Sequence, residues 1–97
     1  MTAESDLRRI EEFIAKDSPL HAVNFVGRLV ESAEKLKATP MLGRIVPEFS
    51  RRNLREILVR DYRVVYLLRR GTVTVLRVVH GARDLTKLIQ REPWELE

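Results

Sequence analysis

The apolar residues of this chain recur at helical spacing in its first part and form strand-like runs in its second part. The first part holds two amphipathic segments, with apolar residues at Leu7, Ile10, Phe13 and Ile14 and then at Ala22, Phe25, Val26, Leu29, Ala33 and Leu36. Thr2 can cap the first helix, and Ser18-Pro19 can start the second. We therefore predict an antiparallel helical hairpin over residues 2–37, with both apolar stripes buried.

Three runs rich in β-branched and aromatic residues follow the hairpin. They are Leu54 to Val59, Tyr62 to Leu68 and Val73 to Val79. The polar links between them are short, and Gly71 in the second link can take the positive φ of a tight hairpin turn. Residues 52–80 are therefore expected to form a three-stranded antiparallel meander.

The segments that flank the meander are shorter. Pro47 has no N–H to donate, so the run 45–49 is expected to stay extended but outside a central ladder. Asp84 can cap a final helix, and residues 84–97 are expected to form this short helix and a tail. Together the elements predict one α+β domain over residues 1–97, in which the helical hairpin packs on a small antiparallel sheet.

Arginine dominates the charge of the second half. Residues 51–83 hold nine arginines and no lysine against only two carboxylates, a formal charge of +7. A planar guanidinium binds phosphates and carboxylates through parallel hydrogen bonds. We therefore predict a functional basic face that meets an anion or an acidic partner, formed by Arg55, Arg63, Arg77 and Arg83. Arg63 and Arg83 are expected to be exposed, so that alanine at either position leaves the fold largely intact.

The chain has no cysteine, which excludes a disulfide scaffold and any thiolate metal site or nucleophile. We expect no metal site and no cofactor. Neither a secretory leader nor an apolar run long enough to span a bilayer is seen in the sequence. A cytoplasmic protein without a membrane partner is therefore expected.

Five short stretches occur in an order that is typical of one group of proteins. They are Leu7-x-x-Ile10-x-x-Phe13-Ile14-Ala15-x-Asp17-Ser18-Pro19, Pro40-x-x-Gly43-Arg44-x-Val46-Pro47-Glu48, Arg55-Glu56, Tyr62-Arg63-Val64-Val65-Tyr66 and His80-Gly81-x-Arg83-Asp84. Together they resemble the RelE/ParE superfamily of bacterial type II toxins, over about residues 2–85. The resemblance implies a toxin that a cognate, ParD-like antitoxin neutralises in a hetero-oligomeric complex. The candidate antitoxin contacts are Tyr62, Tyr66, Trp94 and Leu96.

The start of the chain departs from this resemblance. Members of the superfamily usually begin with a β-strand ahead of the first helix, whereas here the first helix is expected directly after Thr2. Either the true start lies upstream, or the sheet is reduced and has an open edge. A strand of the antitoxin or of a second copy could complete such an edge.

The superfamily divides into ribosome-dependent messenger RNA endonucleases, which are RelE-like, and ParE-like inhibitors of DNA gyrase. Where the endonucleases carry basic residues and a tyrosine, this chain has Leu54, Glu56 and Ile89. Its Asp-Ser-Pro turn and Gly-Arg…Pro-Glu connector also resemble ParE. We therefore favour gyrase inhibition without catalysis. The alternative is an RNase in which His80 is the base and Arg63 and Arg83 hold the phosphate.

Other interpretations of the same residues stay open at this point. A third function is a non-toxic nucleic-acid-binding module, although no helix-turn-helix pattern supports sequence-specific contact. The strand arginines could instead pair with carboxylates such as Glu56, Asp61 and Asp84. His80 could be bonded to backbone at a strand end, the two tyrosines could pack in the core, and Trp94 could fold back onto the domain.

Overall fold

The computed structural model of the protein describes residues 2–92, Trp94 and Leu96. Its elements are α1 (Ala3–Ala15), α2 (Pro19–Ala38), β1 (Arg44–Ile45), β2 (Leu54–Val59), β3 (Tyr62–Arg69), β4 (Thr72–His80) and α3 (Leu85–Arg91). The two long helices pack on one face of an antiparallel sheet, and α3 follows the last strand. The predicted α+β fold is confirmed.

Side-chain caps begin all three helices. Thr2 Oγ1 accepts a hydrogen bond from Ser5 N at 3.1 Å, and Ser5 Oγ accepts one from Thr2 N at 3.0 Å. Ser18 Oγ accepts from His21 N at 3.2 Å, directly before a proline in the first turn of α2. Asp84 caps α3 through Thr86 N at 2.9 Å. These bonds satisfy amide groups that have no partner inside a helix, and they confirm the predicted helix starts.

The sheet has four strands in the order β1-β2-β3-β4, one more than the sequence predicted. The additional strand β1 is two residues long and pairs Arg44 with Glu56 and Ile45 with Arg55. Two residues beside Pro47 are too few to show an alternating pattern, which is why this strand was missed. The expectation that the run 45–49 stays outside a central ladder holds, because β1 lies at the edge of the sheet. Its expected extended backbone was wrong for residues 47–49, which form a turn in which Phe49 N and Ser50 N donate to the Val46 carbonyl at 3.2 and 3.1 Å.

Two-residue turns connect β2 to β3 and β3 to β4. Arg69 pairs with Thr72 across the second turn, where Arg70 and Gly71 have φ of 51° and 77°. Two positive φ values are characteristic of the type I′ hairpin turn, which confirms the role predicted for Gly71. In the first turn Arg60 has φ of 53°, an unusual value for a residue other than glycine.

Apolar residues fill the space on both faces of the sheet. On the helical face, the buried residues are Ile10, Phe25, Leu29, Val64 and Val78. On the opposite face, they are Val46, Leu54, Val65, Leu67, Val79, Leu85, Leu88 and Leu96. One residue of the predicted α1 stripe does not join either cluster: Phe13 is 67% exposed, so its predicted burial was wrong. It lies in the last turn of α1, where the helix has almost ended.

A side chain covers part of the outer edge of β4. The carboxylate of Asp6, in the first turns of α1, accepts a hydrogen bond from Val78 N at 2.8 Å. Asp6 is itself only 4% exposed. An unpaired N–H at a strand edge is a template for pairing with another chain, so this contact blocks one such position. In the part of the chain that the structure describes, no helix is long and apolar enough to cross a membrane.

Candidate functional site

The guanidinium of Arg63 lies inside the protein, below the face of the sheet that is opposite to the helical hairpin. Nε donates to Glu56 Oε1 at 2.6 Å, and the two Nη atoms donate to the Glu48 carboxylate at 2.8 and 2.7 Å. Nη1 also donates to the carbonyl of Arg83 at 3.3 Å. Arg63 is 5% exposed, so the expectation that it lies on an exposed surface was wrong.

Glu48 connects this arginine to the start of α3. Its carboxylate also accepts a hydrogen bond from Leu85 N at 3.2 Å. The hydrogen bonds from Arg63, and more weakly the backbone bond from Leu85, lower the pKa of Glu48 from 4.5 to about 2, although burial opposes this shift. The hydrogen bonds of Arg63 to Glu48 and, to a smaller extent, to Glu56 raise the pKa of Arg63 above its usual value, although burial opposes this shift. Both groups are therefore charged near neutral pH. Their bonds attach the segment after β1 to both β3 and α3.

Glu56 is the second carboxylate of this network. It is 1% exposed and accepts from Arg63 on one side and from Arg44 Nε and Nη2, at 2.8 and 2.7 Å, on the other. A buried carboxylate is tolerated when cations and hydrogen bonds compensate for lost water. We call Arg44, Glu48, Glu56 and Arg63 the arginine–carboxylate cluster. The sequence left open that a strand arginine pairs with Glu56, and the structure confirms this pairing.

Arg77 has a similar environment at the outer edge of β4. It is 1% exposed, its Nε and Nη2 donate to the Asp6 carboxylate at 2.7 and 2.8 Å, and its Nη1 donates to Glu92. The guanidinium thus joins α1, β4 and the residue that follows α3. Arg77 is therefore placed in a structural network, and its predicted membership of a functional basic face stays a prediction.

Arg55 and Tyr66 hold the connector between α2 and β1. Arg55 Nη1 donates to the Gly43 carbonyl at 2.9 Å, and Arg55 Nε donates to the Arg52 carbonyl at 2.9 Å. The hydroxyl of Tyr66 donates to Pro40 O at 2.6 Å and accepts from Gly43 N at 2.9 Å. Tyr66 is fully buried, which supports core packing rather than the predicted antitoxin contact for this side chain.

Gly43 is the point where the connector comes closest to the sheet. A Cβ atom at this position would lie 2.6 Å from the Glu56 carbonyl and 2.7 Å from the ring and hydroxyl of Tyr66. Both contacts are too short for any side chain. Glycine at this position therefore allows β1 to pair with β2, and this pairing places Arg44 against the buried Glu56.

His80 ends β4 at an exposed position between two clefts. Its Nδ1 accepts from Ala82 N at 3.2 Å, and its ring makes an edge contact with Tyr62 at a centroid distance of 5.7 Å. One cleft, of about 380 Å³, is lined by His80 and Arg63, and a smaller one is lined by His80 and Arg83. The structure thus brings His80 near both arginines of the RNase alternative, but on different sides of the histidine. Its bond to Ala82 N is the backbone contact that the sequence left open.

The remaining candidate antitoxin contacts differ in exposure. Tyr62 is half-buried, with its ring 5.5 Å from that of Phe25. Trp94 is also half-buried, and its ring contacts that of Phe49 in a tilted arrangement at a centroid distance of 6.3 Å, which confirms that it folds back onto the domain. Leu96 is 8% exposed, and its carbonyl accepts from Asn53 Nδ2 at 2.6 Å. Antitoxin contact through any of these residues stays a prediction.

Sequence reasoning missed three carboxylates that hold the arginines, namely Asp6, Glu48 and Glu92. The sequence indicated Asp61 and Asp84 as the partners of the arginines instead. In the structure, the side chain of Asp84 caps α3, and the main-chain carbonyl of Asp61 accepts from Gly81 N at 2.7 Å. A signal did exist for Asp6, because it lies four residues before Ile10 and hence on the buried side of α1. Within the described ranges, no three acidic or histidine side chains are grouped in a way that could hold a metal ion.

Comparison with known proteins identifies the family of the chain. Residues 1–85 match the family described as ParE toxin of type II toxin-antitoxin system, parDE. The chain is also 34% identical over 82 residues to Toxin RelE2 of Caulobacter vibrioides, and the match covers 84% of this chain and 89% of that protein. The chain belongs to the ParE toxin family of the RelE/ParE superfamily. It is the toxin of a type II toxin-antitoxin system, and this family implies a cognate antitoxin as its partner.

Proposed function

We propose that this toxin inhibits DNA gyrase and does not cleave RNA. The observation that carries the proposal is the closed environment of Arg63. Its Nε and both Nη atoms already donate to Glu48 or Glu56, at 2.6 to 2.8 Å. A phosphate that approached this guanidinium would meet the two carboxylates that already bind it, and they would repel the incoming anion.

The surroundings of the cluster also lack groups that RNA cleavage requires. The reaction needs a base for the 2′-hydroxyl, donors for the crowded phosphate and an acid for the leaving oxygen. Leu54 is fully buried in the core, Glu56 is bound by two arginines, and Ile89 packs against the same core. These three residues stand where the RNA-cleaving branch would carry cations and a tyrosine. Losing one general acid or base typically lowers a rate about 100-fold, and here several are absent.

RNA cleavage is the second candidate, and one observation favours it. His80 is exposed and borders the cleft of about 380 Å³ that also reaches Arg63. Imidazole is a common general base in enzymes, so His80 could take that role there. The proposed gyrase inhibition, by contrast, requires binding surfaces on the toxin and no chemistry by its side chains.

The proposal includes neutralisation by the antitoxin and action in the cytoplasm. DNA gyrase and a ParD-like antitoxin are the two protein partners, and toxin and antitoxin form a hetero-oligomer. The formal charge of +4 of the chain suits an acidic antitoxin segment. Basic charge also gives non-specific attraction to DNA, so salt dependence alone does not identify the target.

The test compares both targets with the same purified toxin. We expect inhibition of gyrase supercoiling, or trapping of cleaved DNA by gyrase, and relief of the effect when antitoxin is added. Message bound to ribosomes should remain uncut. Site-specific cutting of the message with untouched gyrase would overturn the proposal.

The two histidines of the chain provide a matched pair of variants. Both lie on the surface, His80 at the candidate cleft and His21 in α2. We expect His80→Ala and His21→Ala to inhibit gyrase as the parent chain does. An RNase would lose its cutting activity in His80→Ala alone, so the pair separates catalysis from a general effect of surface substitution.

A further inference from the structure

The arginines that were predicted to form a basic face are mostly bound by other groups of the protein. Arg63 and Arg77 bind carboxylates, and Arg55 donates to two main-chain carbonyls. Two other arginines are exposed, Arg28 of α2 and Arg60 of the turn between β2 and β3. The side chain of neither one forms an ion pair or a hydrogen bond with another described residue. Unpaired positive charge therefore lies on the α2 side of the sheet.

Arg28 and Arg60 line the same surface cleft, of about 260 Å³, between α2 and this turn. Asn24, one helical turn before Arg28, lines it too, and among the described residues no carboxylate does. Asp61 follows Arg60 in the chain, but it borders neighbouring clefts and forms no ion pair with Arg60. Two guanidiniums from separate elements, with no carboxylate in the cleft between them, attract an anion.

A second cleft, of about 400 Å³, follows the first along α2 and is lined by Ser32 and Lys35. Arg28, Ser32 and Lys35 are four and three residues apart, so they lie on one side of the helix. The one carboxylate among the residues that line the second cleft is Glu56, which is buried and belongs to the arginine–carboxylate cluster. That cluster is neutral as a whole, so Lys35 adds a net positive charge. We call the two clefts together the α2 groove.

The α2 groove suits the backbone of a nucleic acid better than a small molecule. Small molecules usually bind in mostly apolar pockets of about 300 to 1,000 Å³ that enclose them. Here exposed cations line the surface, and a guanidinium binds a phosphate through parallel hydrogen bonds. Arg28 and Lys35 are about 10 Å apart along the helix axis, and the phosphates of one DNA strand recur about every 3.4 Å along the duplex. The groove is thus long enough to follow several phosphates.

We infer that the α2 groove binds the phosphate backbone of duplex DNA, without reading its sequence, and thereby holds the toxin on the complex of gyrase with DNA. Arg28 and Arg60 bind phosphates at one end of the groove, and Lys35 binds one at the other end. The inference rests on the proposed function, because gyrase is the target that brings DNA to the toxin.

The first experiment measures binding of the purified toxin to a short fluorescent DNA duplex, by anisotropy, over a range of salt concentrations. Loss of one phosphate contact lowers the slope of log K against log salt concentration by about 0.9. We expect weaker binding and this change of slope for Arg28→Ala and for Arg60→Gly. Because Arg60 has φ of 53°, glycine removes its side chain without straining the turn.

Arg8→Ala is the matched control for charge. Arg8 is exposed on α1 and lines neither cleft, and its loss lowers the net charge as much as the loss of Arg28 or Arg60 does. We expect Arg8→Ala to keep the salt slope of the parent toxin. Equal changes of slope in all three variants, or no change in any of them, would overturn the inference, because binding would then not depend on the groove.

The second experiment compares gyrase inhibition by the same variants. We expect Arg28→Ala and Arg60→Gly to require a several-fold higher concentration for half inhibition of supercoiling, and Arg8→Ala to act as the parent toxin does. Groove variants that lose DNA affinity but inhibit gyrase like the parent overturn the inference and leave the proposed function standing. If the parent toxin leaves gyrase untouched while the two groove variants lose DNA affinity, the proposed function fails and DNA binding by the groove stands.

Two further probes distinguish DNA from other polyanions. An RNA duplex and a polyglutamate peptide are titrated against the same toxin and variants. We expect both to bind more weakly than the DNA duplex. Tighter binding of either one, lost in Arg28→Ala and Arg60→Gly, assigns the groove to RNA or to an acidic protein and overturns the inference.

Discussion

Arg63 and Arg83 stand in similar sequence contexts, at or just beyond a strand, yet their environments are opposite. Arg63 is 5% exposed and bound by two carboxylates, whereas Arg83 is exposed and offers only its backbone carbonyl to the network. The difference arises because the connector after β1 carries Glu48 across the face of the sheet beneath Arg63. The number of arginines in a segment therefore does not predict how much positive charge the segment exposes. That charge also depends on which arginines are paired with carboxylates from other helices and strands.

Arg63 and Arg83 should also differ in how much they contribute to the stability of the fold. Removing one partner of a buried ion pair leaves an uncompensated charge and costs about 3 to 5 kcal/mol. Ion pairs at exposed positions contribute only about 0 to 1 kcal/mol, because water and salt screen them. The cluster should thus matter for stability, and Arg83 should matter only if a partner binds it.

The largest effect is expected for Arg63→Ala. The variant leaves Glu48 and Glu56 without their shared cation, and we expect it to lower the free energy of unfolding by about 3 to 5 kcal/mol. Chemical denaturation followed by circular dichroism measures this loss. An unchanged midpoint would mean that the cluster does not stabilise the fold, and the contrast with Arg83 would disappear.

The next effect is a loss of stability in acid. Because the pKa of Glu48 is about 2 in the folded protein and 4.5 as its ordinary value, the unfolded chain binds the proton more readily. The stability contributed by this group is therefore complete above pH 4.5 and is lost as the pH falls towards 2. A shift of this size corresponds to about 3 kcal/mol. Because the Glu48 side chain is 21% exposed, solvent screening should reduce the loss over that window to about 2 kcal/mol. Glu48→Gln should be less stable at neutral pH and should show a shallower decline between pH 4.5 and 2. Parallel decline of both proteins would contradict the assignment.

The smallest effect is expected for Arg83→Ala. The side chain is exposed, so the free energy of unfolding should change by no more than about 0.5 kcal/mol. The measurement is a denaturation midpoint beside a growth assay in cells that express the toxin. Reduced toxicity at unchanged stability would identify Arg83 as a contact for gyrase or antitoxin. A loss as large as that of Arg63→Ala would show that exposure does not distinguish these arginines.

Local features of the fold could be predicted from the sequence. The caps at Thr2, Ser18 and Asp84 and the positive φ of Gly71 depend on residues within a few positions of one another. All the groups that form these features lie within a short stretch of sequence, so the local pattern was enough to predict them. The α+β arrangement followed from the change of apolar spacing near residue 39.

The arginine environments could not be predicted in the same way. Asp6 and Arg77 are 71 positions apart, and Glu48 and Arg63 are 15 apart. No spacing rule connects such residues before the topology is known. The two-residue strand β1 was missed for a related reason, since its pairing depends on the close approach of Gly43 to Tyr66.

The contact between Asp6 and Arg77 has a consequence for the order of events during synthesis. Asp6 leaves the ribosome early, but its guanidinium partner is added only 71 residues later. Until then Asp6 cannot pair with Arg77, and the N–H of Val78 that Asp6 covers does not yet exist. Closing a chain segment of this length costs conformational entropy, so the final attachment of α1 to the sheet belongs to the late steps of folding. A toxin with this architecture therefore cannot complete its fold until synthesis has reached about the last fifth of the chain.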